Sequence, residues 1–245
     1  MRFTDKIALI TGAAVGIGRA TAILLAKEGA KLILLDVNFE KLESVKEELS
    51  EYTDQVLVYH CDISDEERVN AVISEALTQF GRIDILVNNA ALWRCNADFI
   101  DTPPEEWRRF FDINVMGTVY VTKAVLPSMK EHHYGRVINV ASVAGIYGNP
   151  KMVHYSATKG AVISFTKALA KEVVDSGILV NAVSPGSVSP AEDPDIDYFK
   201  ASQLSYMGRT GTDRENAELI CFLASDAASY IAGENIQIDG CRKKL

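Results

Sequence analysis

The sequence predicts a doubly wound α/β fold. Short apolar, β-branched runs alternate with longer helix-spaced stretches along the whole chain. The runs are apolar throughout rather than apolar at every second position, which marks strands buried on both faces and therefore a parallel sheet. A glycine-rich turn joins the first run to the first helical stretch. Right-handed crossovers would then place helices on both faces of a mostly parallel, seven-stranded sheet.

The elements follow in order. Ile7 to Ile10 reads as a buried strand, and residues 17–29 as a helix closed by Gly29. Lys31 to Asp36 is the second strand and 39–50 a charged amphipathic helix. Gln55 to Tyr59 is the third strand, followed by a helix over 65–80 that Gly81 ends. Ile83 to Val87 is the fourth strand, with helical stretches at 104–113 and 115–130 after it. Arg136 to Val140 is the fifth strand and 155–175 a long helix. Ile178 to Val183 is the sixth strand, 213–224 a helix, and Asn235 to Ile238 the last short strand. The compositional break is 185–207, with Pro185, Pro190, Pro194 and the acids Glu192, Asp193, Asp195 and Asp197, and the irregular segment within it spans about 187–207. A long irregular segment after a strand's C-terminal end reads as a substrate loop or lid. No repeat or linker divides residues 1–245, so one domain is expected.

Composition excludes several classes. With 48% hydrophobic and 24% charged residues the chain is globular rather than disordered. Acidic residues exceed basic ones, 33 to 25, and a net charge of −8 argues against nonspecific nucleic-acid or anionic-membrane binding. No apolar run reaches the ~18 residues of a membrane helix. The first residues enter a strand directly, without a secretory h-region. Cys61, Cys95, Cys221 and Cys241 form no C-x-x-C pair, and the four histidines are scattered, so no metal site is expected. A reducing, cytoplasmic compartment follows.

The first strand-to-helix turn carries Gly12, Val15, Gly16, Ile17 and Gly18. Glycines there let the backbone approach a pyrophosphate, and the helix N-terminus offers amide donors and the positive end of its dipole. Asp36 ends the second strand 18 residues after Gly18. Strand, loop, helix and acid together are the Rossmann-type dinucleotide pattern; three glycines alone would mark only a tight turn. Asp36 also bears on which dinucleotide binds. A carboxylate accepts hydrogen bonds from ribose hydroxyls but repels a 2′-phosphate, by roughly 4 kcal/mol per unit charge at ~4 Å and an effective dielectric of 20. Val15 and Val37 supply no cation to offset this, so NAD is the expected cofactor.

Tyr155 and Lys159 are i and i+4 on one helical face. A phenol with a reference pKa near ~10 is a poor base at neutral pH, and a nearby ammonium lowers it. Such a pair can move a proton to or from an alcohol oxygen. By itself a Tyr-x-x-x-Lys also occurs on many solvated helices.

With these motifs in order, the chain resembles the classical short-chain dehydrogenase/reductase family over essentially its whole length. The resemblance is carried by Thr11-Gly12-x-x-x-Gly16-Ile17-Gly18, Asp62, Asn88-Asn89-Ala90, Asn114, Ser142, Tyr155-x-x-x-Lys159 and Asn181-x-x-x-Pro185-Gly186. The glycine spacing is that of the classical branch, which argues against an epimerase or dehydratase. The resemblance implies that Tyr155 is the general acid/base and that Lys159 lowers its pKa and holds the nicotinamide ribose. It implies that Ser142 bonds the substrate oxygen and that Asn114 holds a water linking Lys159 to solvent. Asp62 and the backbone of Ile63 are implied adenine contacts, and Asn89 and Ala90 the wall beside the adenosine ribose. The Pro185-Gly186 turn and the backbone of Val188 are implied nicotinamide contacts. Each has a plainer reading. Asn114 alone reads as a satisfied buried polar residue, Ser142 as a turn cap, and Asp62 as an N-cap or turn residue. Asn88 reads as a brace of the strand end.

Three positions depart from the family pattern. Ala91 follows Asn88-Asn89-Ala90 where glycine is usual. Pro190 stands where a threonine bonds the carboxamide, with Ser189 as a substitute. Cys241 stands where a second glycine is common. The substrate pocket is expected from loops, with Trp93, Arg94, Ile146 and Tyr147 as candidates that suit an apolar or flat small molecule; Arg94 is also a candidate partner for a carboxylate. The leading expectation is hydride transfer between NAD(H) and a secondary alcohol or ketone. The alternatives are a 3-oxoacyl-thioester reductase, disfavoured by Asp36, and a dinucleotide-binding sensor without turnover, disfavoured by intact Ser142, Tyr155 and Lys159. The resemblance further implies a homotetramer, or a dimer, packed through helices near 104–130 and 152–175.

Overall fold

A computed structural model describes residues 1–94, 96–189 and 202–243. Cys95, Pro190, Glu192, Asp193, Pro194, Asp195 and Asp197 lie outside the described residues, and so does the middle of the expected lid. Seven strands form one sheet: β1 (Ile7–Thr11), β2 (Lys31–Asp36), β3 (Val56–His60), β4 (Ile85–Asn88), β5 (Gly135–Val140), β6 (Ile178–Pro185) and β9 (Asn235–Ile238). Their order is β3-β2-β1-β4-β5-β6-β9, and every pairing is parallel. Two short strands, β7 (Val188–Ser189) and β8 (Gly211–Thr212), pair beside it.

Alternate strand residues enter two separate cores, which is why the runs are apolar throughout. Ala8, Ile10, Leu32 and Leu34 pack under α1 (Gly16–Lys27) and α8 (Asp213–Ala224) with Leu25 and Ile220. Ile7, Leu9, Ile33 and Leu35 face the other way, toward α3 (Glu66–Phe80), α5 (Thr118–Glu131) and α7 (Val153–Val173). The remaining helices are α2 (Phe39–Leu49), α4 (Pro104–Phe111) and α6 (Ala144–Tyr147). Gly29 (φ 94°) ends the first helical segment, and its neighbour Ala30 donates to the Leu25 carbonyl at 3.0 Å. The start of α3 is capped by Asp65, whose carboxylate accepts from the Arg68 amide at 3.0 Å. Asp62 therefore does not cap this helix; its carboxylate accepts from the Ser64 amide and hydroxyl at 2.9 and 2.7 Å, holding a turn.

The two helical stretches expected at 104–113 and 115–130 are one continuous helical run. A π-helical turn at Asp112–Gly117 joins α4 to α5. It contains Asn114, and such turns frequently occur at functional sites.

Candidate active site

The strand order reverses between β1 and β4, the switch point where ligands sit in open α/β sheets. The glycine-rich loop rises there from β1. Gly12 (φ 64°) and Gly16 (φ 58°) adopt the left-handed conformation that glycine tolerates. At Gly12 a Cβ would lie 2.8 Å from the Ala90 Cα, and at Gly18 it would lie 2.1 Å from the Gly12 carbonyl oxygen. The third glycine thus lets α1 pack against the loop. Val15 precedes α1 in extended conformation and gives no side-chain cap, so the leading amides of α1 are presented without one. A close-approaching backbone at an uncapped helix N-terminus fits a dinucleotide pyrophosphate.

Asp36 and Asn89 hold this cradle. One Asp36 oxygen accepts from the Ala14 amide at 3.0 Å and the other from the Asn38 amide at 2.9 Å. The Asn89 side-chain amide donates to the Thr11 and Gly12 carbonyls at 3.0 and 2.9 Å. The buried Thr11 hydroxyl accepts from both the Asn89 and Ala90 amides, each at 3.0 Å. Sequence reasoning gave Thr11 no role of its own, although it opens the quoted motif. Asn88 braces the strand ends, donating to Thr122 at 3.0 Å and to Asn139 at 2.9 Å, while Asn139 donates to Thr166 at 2.9 Å. Ile63 is buried against Gly117, and Asp62 stands exposed at the rim.

The four candidate catalytic residues converge on the tips of β4 and β5 and the first turns of α7. Lys159 is 4% exposed and donates to the Val140 carbonyl at 2.7 Å, two residues before Ser142. Burial pushes the Lys159 ammonium down to about 8. Its Nζ lies 5.9 Å from the centroid of the half-buried Tyr155 ring, on the same helical face. The Ser142 hydroxyl accepts from the Ala144 amide at 3.1 Å, as a turn cap would, and its side chain is nearly buried.

Asn114 commits both amide hydrogens within the protein, one to the Leu92 carbonyl at 2.9 Å and one to Thr158 at 3.1 Å, and its oxygen accepts from the Leu92 amide at 2.7 Å. Thr158 in turn donates to the Tyr155 carbonyl at 2.8 Å. Asn114 therefore ties the loop after β4 to the turn that carries Tyr155. A water held by this side chain would use the second lone pair of Oδ1. Neither Leu92 nor Thr158 was singled out for this from the sequence.

The residues expected to contact the nicotinamide lie at and after the C-terminal end of β6. The Gly186 amide donates to the Ile238 carbonyl at 3.0 Å, and a Cβ at Gly186 would lie 2.9 Å from the Asp239 Cα. Val188 is half-buried in β7. The Ser189 hydroxyl meets the Thr210 hydroxyl, so it is already engaged at the place where it was expected to substitute for a threonine. Of the substrate candidates, Trp93 and Arg94 follow β4 and stack on each other, with the guanidinium 5.2 Å from the indole centroid. Ile146 and Tyr147 lie in α6 after β5, and the Tyr147 hydroxyl donates to Gln237 at 2.9 Å. All four are exposed. Among the described residues no cluster could hold a metal ion. Cys61 and Cys221 are buried free thiols pushed up to about 11 and about 12, while Cys241 is exposed with φ 59°, which explains why glycine suits that position.

Comparison with known proteins places this architecture among relatives. A family model described as enoyl-(acyl carrier protein) reductase matches residues 12–241. The 3-oxoacyl-[acyl-carrier-protein] reductase of Thermotoga maritima is 40% identical over 243 residues, 98% of each chain. The 2-dehydro-3-deoxy-L-rhamnonate dehydrogenase (NAD(+)) of a Sphingomonas species is 34% identical over 247 residues, covering 98% of this chain and 96% of that one. Among solved structures, an NAD+-bound xylitol dehydrogenase superposes with a TM-score of 0.92 at 35% identity, covering 98% of this chain and all of that one.

Proposed function

The chain belongs to the classical short-chain dehydrogenase/reductase family, and from that premise we propose an NAD(H)-dependent oxidoreductase that interconverts a secondary alcohol and a ketone. The observation that carries this is the convergence of Tyr155, Lys159 and Ser142 on strand tips beside the glycine-rich cradle. A bound nicotinamide dinucleotide supplies the hydride acceptor or donor. In oxidation Tyr155 phenolate takes the hydroxyl proton, and in reduction its phenol returns one. The Lys159 ammonium favours the phenolate, and Ser142 holds the substrate oxygen. Such acid–base help supplies ~10²–10⁴-fold, and the rest comes from positioning in a preorganised site. Asn114 positions the turn bearing Tyr155 and anchors the proposed water. The backbone around Gly12, Val15, Gly16, Ile17 and Gly18 holds the pyrophosphate, Asp62 and Ile63 the adenine, and Asn89 and Ala90 the ribose wall. Pro185, Gly186 and Val188 hold the carboxamide.

NAD preference rests on Asp36, whose carboxylate is fixed at the mouth of the cradle by two amides, with Val15 and Val37 exposed on either side. A second reading, a 3-oxoacyl-thioester reductase, is favoured by the 40% identity to the Thermotoga enzyme of that name. A homotetramer or dimer is supported by apolar side chains left exposed on the helical run and α7, namely Phe111, Met116 and Val153; a stable monomer in light scattering would overturn it. The cytoplasmic reading is supported by free thiols.

The test is a panel of secondary alcohols and ketones run with NAD(H) and NADP(H) in parallel, following nicotinamide absorbance. Turnover with NAD(H) that falls at least ~10²-fold in Tyr155→Phe is expected. Turnover confined to NADP(H) would refute the Asp36 reasoning and favour the thioester reductase.

A further inference from the structure

The C-terminal end of β9 runs directly into the site. Asp239 abuts Gly186, and the chain then turns through Gly240 (φ 62°) and Cys241. The turn is closed by the Asp239 carboxylate, which accepts from the Arg242 backbone amide at 3.2 Å. Residues 240–243 are stitched to 204–207: Tyr206 donates to the Cys241 carbonyl at 2.9 Å, Lys243 donates to the Leu204 carbonyl at 2.9 Å, and Ser205 bridges Arg242. One side chain of this strap reaches the segment after α6. The Arg242 guanidinium donates to the Asn149 side-chain oxygen at 3.0 Å, and the Asn149 amide donates at 3.1 Å to Ser156, the neighbour of Tyr155.

The side-chain partner of this arginine is neutral, as it is for Arg68, whose guanidinium donates to the His60 carbonyl. Arg19, Arg82, Arg136 and Arg209 each face a carboxylate. Among the described residues no carboxylate lies within ion-pair distance of the Arg242 guanidinium, and Asn149 engages a single one of its five N–H donors. Lys243 adds a second cation, 5.5 Å from the Tyr206 ring centroid. In a chain of net charge −8, two cations on the strap, one of them linked through Asn149 to the helix that bears Tyr155, form a local attraction for an anion. A guanidinium fork matches a carboxylate in two parallel hydrogen bonds. Asn149, which accepts from this guanidinium, is a polar neighbour suited to a ligand hydroxyl.

We propose that Arg242 determines specificity by binding the carboxylate of the substrate, so that the enzyme acts on a hydroxy or oxo acid. This deepens the oxidoreductase reading and rests on it. Arg94, the cation suggested by the sequence, is turned onto Trp93 instead.

The experiment compares 3-hydroxybutyrate, acetoacetate and D-gluconate, each beside its N-methylamide, with wild type, Arg242→Met and Arg242→Lys. The expected result is a wild-type preference for the acids. The acid-to-amide ratio of kcat/KM should fall roughly 10–100-fold in Arg242→Met, mainly through KM, and recover in part in Arg242→Lys. A wild-type preference for the amides, or an equal loss on acid and amide, would overturn the proposal and leave the oxidoreductase reading intact. If no pair turns over, the oxidoreductase reading loses its support. In that case quenching of bound NADH fluorescence by the acids still decides Arg242: acid-selective quenching lost in Arg242→Met supports it, and any other pattern overturns it.

Discussion

Replacing Lys159 by methionine in the cofactor-free protein isolates the cost of a buried ammonium. Burial lowers this group from 10.5 to about 8, although it donates to the Val140 carbonyl. At neutral pH that difference corresponds to roughly 3 kcal/mol against the folded state. The sign follows from proton binding: between about 8 and 10.5 the unfolded chain binds this proton and the folded chain has largely released it. The penalty is therefore fully present below about 8 and disappears as pH rises toward 10.5. Urea unfolding of wild type and Lys159→Met at pH 7, 9 and 10 reads the effect, because other titrations largely cancel in the difference. Relative to the variant, wild type should gain roughly 1.4 kcal/mol by pH 9 and roughly 2.5 kcal/mol by pH 10. A difference that stays flat, or moves the other way, would refute the idea that Lys159 is held charged against its desolvation.

Three further outcomes are expected. Gly18→Ala should weaken NADH binding at least ~10-fold in fluorescence titration and cost about 1–3 kcal/mol, because its Cβ would meet the Gly12 carbonyl oxygen at 2.1 Å. Gly81→Ala is the control: its φ of 81° is strained but nothing lies within 4 Å, so stability should fall by about 1 kcal/mol with NADH affinity kept. Thr11→Val should cost about 2–4 kcal/mol in urea unfolding by orphaning two amides, whereas Thr11→Ser, which keeps the oxygen, should recover most of it.

Much of this was legible because its causes are local. Leu9 and Ile10 serve opposite cores, so a strand buried on both faces reads as an unbroken apolar run. The glycine-rich turn and the Tyr155–Lys159 pair are likewise short-range patterns. The π-turn at 112–117 was not legible: one extra residue in a turn leaves the helical periodicity on either side intact and suggests merely a break. Asn114 meets a backbone 22 residues away, and Arg242 meets Asn149 across 93 residues, contacts that no local spacing encodes. Asn88 reads as a brace of the strand end, but its partner Asn139, 51 residues away on the paired strand β5, is not marked by any local pattern.

The bond from Ala14 to Asp36 has a consequence for engineering. The side chain expected to select the cofactor is also a structural support of the loop that binds it. Exchanging Asp36 for alanine to admit a phosphorylated dinucleotide would remove the repulsion and at the same time strand the Ala14 amide, at about 1–3 kcal/mol. Asparagine retains an oxygen for that amide. A switch of cofactor therefore has a narrow mutational path: charge can be removed first only by a residue that still accepts, and a new cation at position 15 or 37 must come second.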